Sequence, residues 1–495
     1  MLTQTNNNQT LKFIFIYGLL FITIFSLTAH YSTGYHHPDE HFQILEMASY
    51  KVGYPATELS DLAWEFKSQI RPGLQVIMTA GFFKFCDAVG ISDHFLVVEI
   101  LRYLSALFYL LCVFLLYRVI RGGFTNTVSH HLYWCTAILL WFIPYCSVRY
   151  SSENWSAISF IIGLSIYLRA GCRHWLLIFF AGLLLGLSFE FRYQVGIMVF
   201  GFVMWLIFLQ GAIKKPELYI MISGVLFAIL IGTLADFWFY NQWVFAPWNY
   251  LKVNIIEHKA DSFGTSPWYF YFATIIKSGN IIIGVFILLL VPFLMIRKFK
   301  HPLTWIIIPF LALHIMLSHK ELRFLFPIIP FMPWVVVLFF TDTWLKWLQI
   351  KWVYFLLLAV NTLPLLHIMF SPAQMEVRTM SYFYHHKLAP DFKYFYLNEH
   401  KYYVWVLAHT YYYPNSGPYL MGHLTNKNQI RDSLQSAGLI LLRDRTPNFH
   451  LNATNVKDSM IDATYPPALL RRVNLNNWLA RTSLNYIYLI EKKAK

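Results

Sequence analysis

Long apolar segments alternate with short polar ones along the first 370 residues of this chain. A window of about 19 residues predicts membrane-length helices at 12–29, 94–117, 129–148, 155–170, 174–191, 193–212, 217–239, 268–296, 303–318, 324–345 and 352–370. The stretch 72–89 is less apolar and contains Lys84 and Asp87, so we predict a juxtamembrane or re-entrant helix there. The pattern predicts a polytopic α-helical membrane protein with about eleven transmembrane helices.

After about residue 370 the pattern changes to mixed polar and aromatic positions without another membrane-length run. Alternation predicts strands at 403–407, 439–442 and 486–490, and a helical pattern occupies 425–437. We therefore predict a membrane domain of residues 1–371, with a first outer loop of residues 30–93, and a small α/β domain of residues 372–495 on the outer face. The amino-terminal segment lacks a small-residue cleavage site, and we expect a retained anchor.

Basic residues between the predicted spans fall in alternate loops. They are Lys12, Arg118, Arg121, Arg169, Arg173, Lys214, Lys215, Arg297, Lys298, Lys300, Lys346 and Lys351. The positive-inside rule places these loops in the cytoplasm. The segments richest in reactive side chains, 35–46, 149–154, 190–194, 236–266 and 318–324, then all lie on the other side. We therefore expect a single outward-facing site.

Composition agrees with a membrane protein, because 57% of the residues are hydrophobic and only 13% are charged. The net charge of +14 comes from small scattered groups, which argues against a nucleic-acid partner and for the lipid bilayer. The five cysteines lie in or beside apolar segments and form no Cys-x-x-Cys pair. Neither a disulfide framework nor a zinc site is expected.

A paired carboxylate, Asp39 and Glu40, follows the first apolar segment and is flanked by His37 and His41. Pro38 suits the first turn of a helix, so the motif has a purely structural interpretation as a helix start over residues 40–51. Carboxylates at the mouth of a membrane helix are costly to keep unless they are used. A carboxylate on a rigid helix start also suits a general base, and we predict Asp39 as the catalytic residue with Glu40 as its partner.

A second polar motif, residues 318–324, lies between two apolar spans. A snorkelling interfacial cluster is one interpretation. The other is a phosphate site, in which His319, Lys320 and Arg323 converge on the anion and Arg323 offers a bidentate fork. Arg192 is a further candidate for the same phosphate.

The loop between residues 236 and 268 is rich in aromatic and amide side chains, including Trp243, Asn249 and Asn254. An aromatic belt at the membrane surface explains single Trp and Tyr residues there. Aromatic faces beside amide groups also suit a sugar ring. We therefore predict that these three residues bind substrate.

The motif at residues 37–40, the motif at residues 319–324 and the Gly-Thr-Ser-Pro-Trp segment at residues 264–268 together resemble the mannosyltransferases of glycosyltransferase family 22. These enzymes are of the GT-C type and include those of glycosylphosphatidylinositol-anchor synthesis. The resemblance implies an inverting transfer of mannose from a polyprenyl-phosphate sugar donor to a lipid-linked glycan acceptor. It also implies that Asp39 is the catalytic carboxylate, and that His37, Glu153 and Asn154 bind substrate.

In this interpretation the departing lipid phosphate needs no acid, and we expect no cofactor and no metal. The resemblance leaves open a bacterial inner membrane, which the short loops favour, or the endoplasmic reticulum, with the site on the periplasmic or lumenal side. Another lipid-phosphate sugar, such as aminoarabinose or glucose, is an alternative donor. A transporter or flippase for lipid-linked sugars is the alternative from another class, with Glu99, Arg102 and Asp236 lining its path.

Overall fold

The structure is a computed structural model that describes residues 7–54, 59, 62–124, 126–170, 174–343, 351–386, 393–397, 410–412, 421–424, 430, 439–444, 456–463, 465 and 486–492. Its α-helices, α1 to α19 in chain order, are Asn7–Tyr31, Pro38–Glu40, Glu46–Val52, Trp64–Lys67, Gly73–Ala88, His94–Ile120, Thr127–Leu139, Phe142–Val148, Ser152–Ala170, Trp175–Phe191, Gly196–Gln210, Pro216–Tyr240, Ala246–Leu251, Phe270–Lys277, Ile281–Arg297, Pro302–Met316, Met332–Thr341, Lys351–Phe370 and Met375–His386. Segments His41–Leu45 and Lys252–Ile256 are π-helical. Shorter 3₁₀ segments include Tyr193–Val195, Leu322–Phe331 and Thr410–Tyr412.

Five helical segments of the described chain are long and apolar enough to cross a bilayer, namely His94–Gly123, Tyr193–Gln210, Pro216–Tyr240, Leu322–Thr341 and Trp352–Phe370. Helices α7 and α8 together pass the same test but are bent by 59°. The predicted span 268–296 is divided into α14 and α15. The chain is therefore a polytopic helical membrane protein, and the count of eleven complete spans stays a prediction. The stretch 72–89 forms helix α5 and is not among these candidate spans.

The helices pack closely where glycines face each other. A Cβ atom added to Gly182 of α10 would lie 2.0 Å from the carbonyl oxygen of Met221 on α12. One added to Gly224 of α12 would lie 2.3 Å from the carbonyl oxygen of Phe179. Small residues let helix backbones approach in this way when lipid supplies no hydrophobic driving force between helices. Leu230 on another face of α12 is exposed, as expected for a side chain in contact with lipid.

Several helix ends meet at one end of the bundle. Arg149, just before α9, donates hydrogen bonds to the carbonyl oxygens of Ser32 and Gly34, just after α1. Arg192, just after α10, donates to Ser152 Oγ at the start of α9. These contacts bring the polar segments 32–46, 149–154 and 192–194 together, as the alternating topology predicts.

The C-terminal part contains a five-stranded sheet in the order β2-β1-β3-β5-β4. Its strands β1 to β5 are Lys393–Leu397, Met421–Leu424, Leu439–Asp444, Val456–Ala463 and Tyr486–Lys492. Strand β1 runs parallel to β2 and β3, with Tyr394 opposite Met421 and Leu441, whereas β5 runs antiparallel to β3 and β4. The strands predicted at 439–442 and 486–490 are confirmed. The predicted strand 403–407 and, apart from the helical residue Ile430, the predicted helix 425–437 lie outside the described residues.

Two contacts attach the C-terminal strands and the 3₁₀ segment Thr410–Tyr412 to helices that lie outside the candidate membrane spans. Arg378 of α19 forms a bidentate ion pair with Asp462 of β4, with N to O distances of 2.6 and 2.7 Å. Glu46 of α3 accepts hydrogen bonds from Thr410 Oγ1 at 2.6 Å and from the backbone N–H of Tyr411 at 3.0 Å. Tyr411 and Tyr412 are buried in the core around the first outer loop. The domain boundary at residues 371 and 372 stays a prediction.

Candidate active site

The motif around Asp39 is a short helix start whose cap is a histidine. His37 is the N-cap residue, and its Nδ1 accepts a hydrogen bond from the backbone N–H of Asp39 at 3.3 Å. Pro38 occupies the first helical position, as predicted. The continuous helix expected over residues 40–51 is instead one turn, the π-helical segment His41–Leu45 and then α3. The side chain of Asp39 makes its closest ion pair with Arg323, so its carboxylate is available for a role other than capping.

Arg323 lies at the centre of the site and contacts three carboxylates with three different nitrogen atoms. Its Nη2 lies 2.7 Å from Asp39 Oδ2, and its Nη1 lies 3.1 Å from Glu153 Oε1. Its Nε donates to Glu321 Oε2. Arg192 shares Glu153, because its Nη1 lies 2.8 Å from the same Oε1 atom. Residues from α2, α9, the end of α10 and the motif at residues 318–324, here called the late motif, thus form one ion-pair network.

Histidines close this network on the other side of Asp39. His37 Nδ1 lies 3.2 Å from Asp39 Oδ1, and its Nε2 lies 3.3 Å from Glu321 Oε2. His319 Nε2 lies 2.9 Å from Glu321 Oε1. Glu321 therefore holds both Arg323 and the two histidines in position.

Arg71 completes the ring of cations, although the sequence did not single it out. Its Nη2 lies 3.5 Å from Asp39 Oδ2 and 3.3 Å from Glu65 Oε1. Its backbone is fixed by Tyr240, whose hydroxyl accepts from Arg71 N–H and donates to Arg71 O. The only hint of Arg71 in the sequence is its position: it is a basic residue in a loop predicted to lie outside, whereas the positive-inside rule places most basic residues in cytoplasmic loops.

The network borders an open cleft. Its lining combines charged, amide and aromatic side chains, and comprises Asp39, Glu40, Gln43, Ile44, Ile70, Arg71, Pro72, Gln75, Val76, Ser152, Glu153, Phe191, Arg192, Tyr193, Gln194 and Tyr250. A concave site with a few convergent polar groups is typical of small-molecule binding. The carboxylate of Asp39 is 20% exposed, which leaves it accessible to a ligand in this cleft.

The neighbouring carboxyl groups of Asp39 and Glu40 differ in pKa because their surroundings differ. Burial alone would raise the pKa of Asp39, but Arg323, His37 and Arg71 hold that pKa well below its usual range. Burial raises the pKa of Glu40 to about 7, with a further contribution from Glu153, against the opposing effect of Arg149. Asp39 is therefore ionised at neutral pH, and Glu40 is close to half protonated.

The late motif is tied to the Gly-Thr-Ser-Pro-Trp segment by backbone contacts. Lys320 donates from Nζ to the carbonyl oxygen of Ser266 at 2.9 Å and to that of Leu317. His319 Nδ1 lies 2.8 Å from the carbonyl oxygen of Gly264. The ammonium group of Lys320 is thus held by carbonyl oxygens, and its contact with a phosphate stays a prediction.

Four other predicted substrate residues lie away from the cleft lining. The amide of Asn154 is used internally, because it donates to the carbonyl oxygens of Ser147 and Arg149. Asn249 donates to the carbonyl oxygen of Gln69. Trp243 is exposed and packs on Phe237, and Asn254 lies in the π-helical segment Lys252–Ile256. Among the predicted residues, the structure brings together Asp39, Glu40, Glu153, Arg192, Arg323, His37 and His319.

Residues 17–417 of the chain match the model of the Alg9-like mannosyltransferase family. The GPI alpha-1,2-mannosyltransferase 3 of Danio rerio is 26% identical over 308 residues, which cover 59% of this chain and 53% of that protein. The mannosyltransferase APTG1 of Arabidopsis thaliana is 27% identical over 340 residues, covering 64% and 56% respectively. The chain therefore spans about half the length of the curated relatives it matches.

Among solved structures, the chain is similar to ArnT from Cupriavidus metallidurans. The structure bound to undecaprenyl phosphate has a TM-score of 0.51 and 11% sequence identity, and covers 98% of each chain. The apo structure has a TM-score of 0.53 and 10% identity, covering 97% of this chain and 98% of the other. At this identity the likeness shows the fold, which is of the GT-C type.

Proposed function

Because this chain belongs to the Alg9-like mannosyltransferase family, we propose that it is a membrane glycosyltransferase. It transfers mannose from a polyprenyl-phosphate donor to a lipid-linked glycan acceptor. The observation that carries this proposal is the contact of 2.7 Å between Asp39 and Arg323 beside a cleft lined by Arg71 and Arg192. A base for a hydroxyl group and cations for a phosphate leaving group are the two requirements of this reaction.

The reaction is a single displacement. Asp39 takes the proton of the acceptor hydroxyl while that oxygen attacks the anomeric carbon of the donor. The bond from the anomeric carbon to the phosphate oxygen breaks on the opposite face, which inverts the configuration. The lipid phosphate leaves as an anion, and Arg323, Arg192 and Arg71 stabilise its charge.

In this scheme donor binding prepares the base. Without donor, Asp39 is paired with Arg323 and its pKa is held well below the usual range, which makes it a weak proton acceptor. A donor phosphate competes for the same guanidinium. As Arg323 turns to the phosphate, Asp39 loses its strongest partner and becomes more basic.

We place the cleft on the periplasmic or lumenal side. The loops with clustered basic residues, such as 297–300, lie between helices whose other ends carry the site. The positive-inside rule assigns these basic loops to the cytoplasm. The bacterial inner membrane, with the endoplasmic reticulum as its alternative, stays a prediction from the sequence.

Purified full-length protein tests the proposal when it is offered polyprenyl-phosphate mannose, its glucose and aminoarabinose counterparts, and GDP-mannose, together with a panel of lipid-linked glycans. We expect mannose transfer from the lipid phosphate alone, with NMR of the product showing an inverted anomeric centre. Transfer from GDP-mannose, preference for another lipid-phosphate sugar, or translocation of a lipid-linked sugar without transfer would contradict the proposal.

A further inference from the structure

A second cavity lies next to the cleft. Glu40 belongs to the lining of both spaces. The lining of the second cavity includes Arg102, Arg149, His41 and Tyr412. None of these four side chains lines the cleft beside Asp39.

Arg102 is the most unusual group in this cavity. It is only 4% exposed, and its Nε donates to the carbonyl oxygen of Ala29 at 2.6 Å. Within the part of the chain that the structure describes, no carboxylate lies within 4 Å of this guanidinium, and its Nη1 and Nη2 groups make no hydrogen bond. A buried charge without a counterion is costly, and the donors of Arg102 are therefore available to an anionic ligand.

Arg149 adds a second buried guanidinium to the same cavity. Its Nη1 and Nη2 donate to the carbonyl oxygens of Gly34 and Ser32, but its Nε is buried and makes no hydrogen bond to any described residue. The closest carboxylate is Glu40, at 3.8 Å from Nη1. Two guanidinium groups thus face one carboxylate, which leaves the cavity positively charged.

We propose that this second cavity binds a phosphate-class anion through Arg102 and Arg149. Guanidinium groups match the geometry of phosphate oxygens better than any other side chain. The cavity lies beside the end of α1 and the first turns of α6, and a membrane lipid and a soluble molecule are the two possible sources of the phosphate. The site is separate from the donor phosphate site at Arg323 and does not depend on the proposed sugar transfer.

Binding to the purified full-length protein tests this site in the absence of any sugar donor, by calorimetric titration. The probes are inorganic phosphate and dihexanoyl phosphatidylinositol, with dihexanoylglycerol as the phosphate-free control. We expect at least one phosphate probe to bind, and the glycerol control not to. Binding of both probes identifies the phosphate group as sufficient, whereas binding of the lipid alone identifies a lipid headgroup as the ligand.

Arg102→Gln should weaken this binding at least tenfold, whereas Arg118→Gln, at an exposed arginine of the same helix α6, should change it less than twofold. If Arg102→Gln does not fold, Glu40→Gln serves instead, and removal of the carboxylate facing the anion should strengthen binding at least threefold. No binding by the parent, equal binding by the parent and Arg102→Gln, or an equal loss for Arg102→Gln and Arg118→Gln would overturn the proposal. In that case Arg102 and Arg149 only bind the carbonyl groups at the end of α1.

Discussion

Each of the three nitrogen atoms of Arg323 contacts a different carboxylate. This arrangement requires the planar guanidinium group, which points its donors in three fixed directions. A lysine ammonium is a point charge and cannot hold Asp39, Glu153 and Glu321 in the same arrangement. A donor phosphate would bind the same guanidinium nitrogen atoms. The site therefore requires arginine at this position and not only a positive charge.

Arg323→Lys should lower kcat/KM for the donor by about 10- to 100-fold, because a charge-assisted hydrogen bond contributes about 1.5–3 kcal/mol. Steady-state kinetics with a lipid-phosphate donor measure this loss. Arg378→Lys is the matched control, because it alters a bidentate pair with Asp462 at the C-terminal sheet. Equal kinetics for Arg323→Lys and the parent would show that the late motif is only an interfacial cluster.

Glu40 makes stability depend on pH. Its folded-state pKa of about 7 lies above the ordinary value of 4.5, so the folded protein binds more protons than the unfolded chain between these values. Stability should therefore fall as pH rises from about 4.5 to 7, by up to about 3 kcal/mol. Thermal unfolding at pH 5 and pH 8 checks this.

Glu40→Gln removes this dependence on pH. The melting temperature of the variant minus that of the parent should therefore be larger at pH 8 than at pH 5. Glu257→Gln, at an exposed carboxylate, is the control and should show the same difference at both pH values. A Glu40→Gln difference that does not change with pH would mean that Glu40 does not titrate in this range.

Single residues of the site could be predicted from the sequence where they belong to a short motif of charged residues. Asp39 and Arg323 belong to such motifs, and the structure brings them together across nearly 300 positions of sequence. Arg71 could not be predicted, because its contact with Asp39 depends on how Tyr240 fixes a distant loop. The role of Asn154 in substrate binding stays a prediction, and a sequence pattern does not show that its amide group donates to backbone carbonyl oxygens.

At the scale of elements, the late motif and the segment 264–268 act as one unit. Ser266 N–H donates to the carbonyl oxygen of Ser318 at 2.9 Å, and Lys320 returns a hydrogen bond to Ser266 O. Lys320 is buried, so its ammonium joins the two segments and does not contact bulk water freely. This pairing positions the turn from which Arg323 emerges.

Lys320→Met keeps the length of the side chain but removes its donors. It should destabilise the protein by about 1–3 kcal/mol, since buried carbonyl groups lose their partner. A melting curve of the purified variant measures the effect, with Lys252→Met at an exposed lysine as control. An unchanged melting temperature combined with a raised KM for the donor would show that Lys320 binds the donor phosphate and does not stabilise the fold.

Apolar length predicted the positions of the helices well but not their breaks. The bend between α7 and α8 lies within an apolar run, whereas the interruption between α14 and α15 falls at the polar residues 277–280 inside the predicted span. At the second interruption Gly279 has a positive φ of 70°, a backbone geometry that hydropathy does not report. Strands β1, β2 and β4 were missed because short mixed segments carry a weak alternation signal.

At the scale of the whole molecule, the helix ends that carry the site lie at the opposite end from the basic loops. Three reporter positions test this topology, each a single cysteine in a cysteine-free parent. Cysteines at Glu257 and Lys457 should react with a membrane-impermeant reagent from the periplasmic or lumenal side, and one at Lys300 should not, although all three residues are exposed. Labelling of Lys300→Cys from that side would invert the assignment.

The positions of three charged residues in the membrane helices bear on the alternative that the protein transports lipid-linked sugars. It required Glu99, Arg102 and Asp236 to line one path, but Glu99 pairs with His30 and Asp236 accepts from the backbone N–H of Gly73. These groups have separate partners in the described chain. Together with family membership, this arrangement favours a transferase with one cleft.

The rate of sugar transfer by Asp39→Asn tests the central claim most directly. Asparagine keeps the size of the side chain but removes the carboxylate, so kcat should fall by about 10²–10⁴-fold, while donor binding is retained or strengthened because Arg323 loses a competitor. Asp93→Asn is the matched control, since Asp93 caps helix α6 and asparagine caps about as well. Transfer by Asp39→Asn at the parental rate would contradict the proposed mechanism.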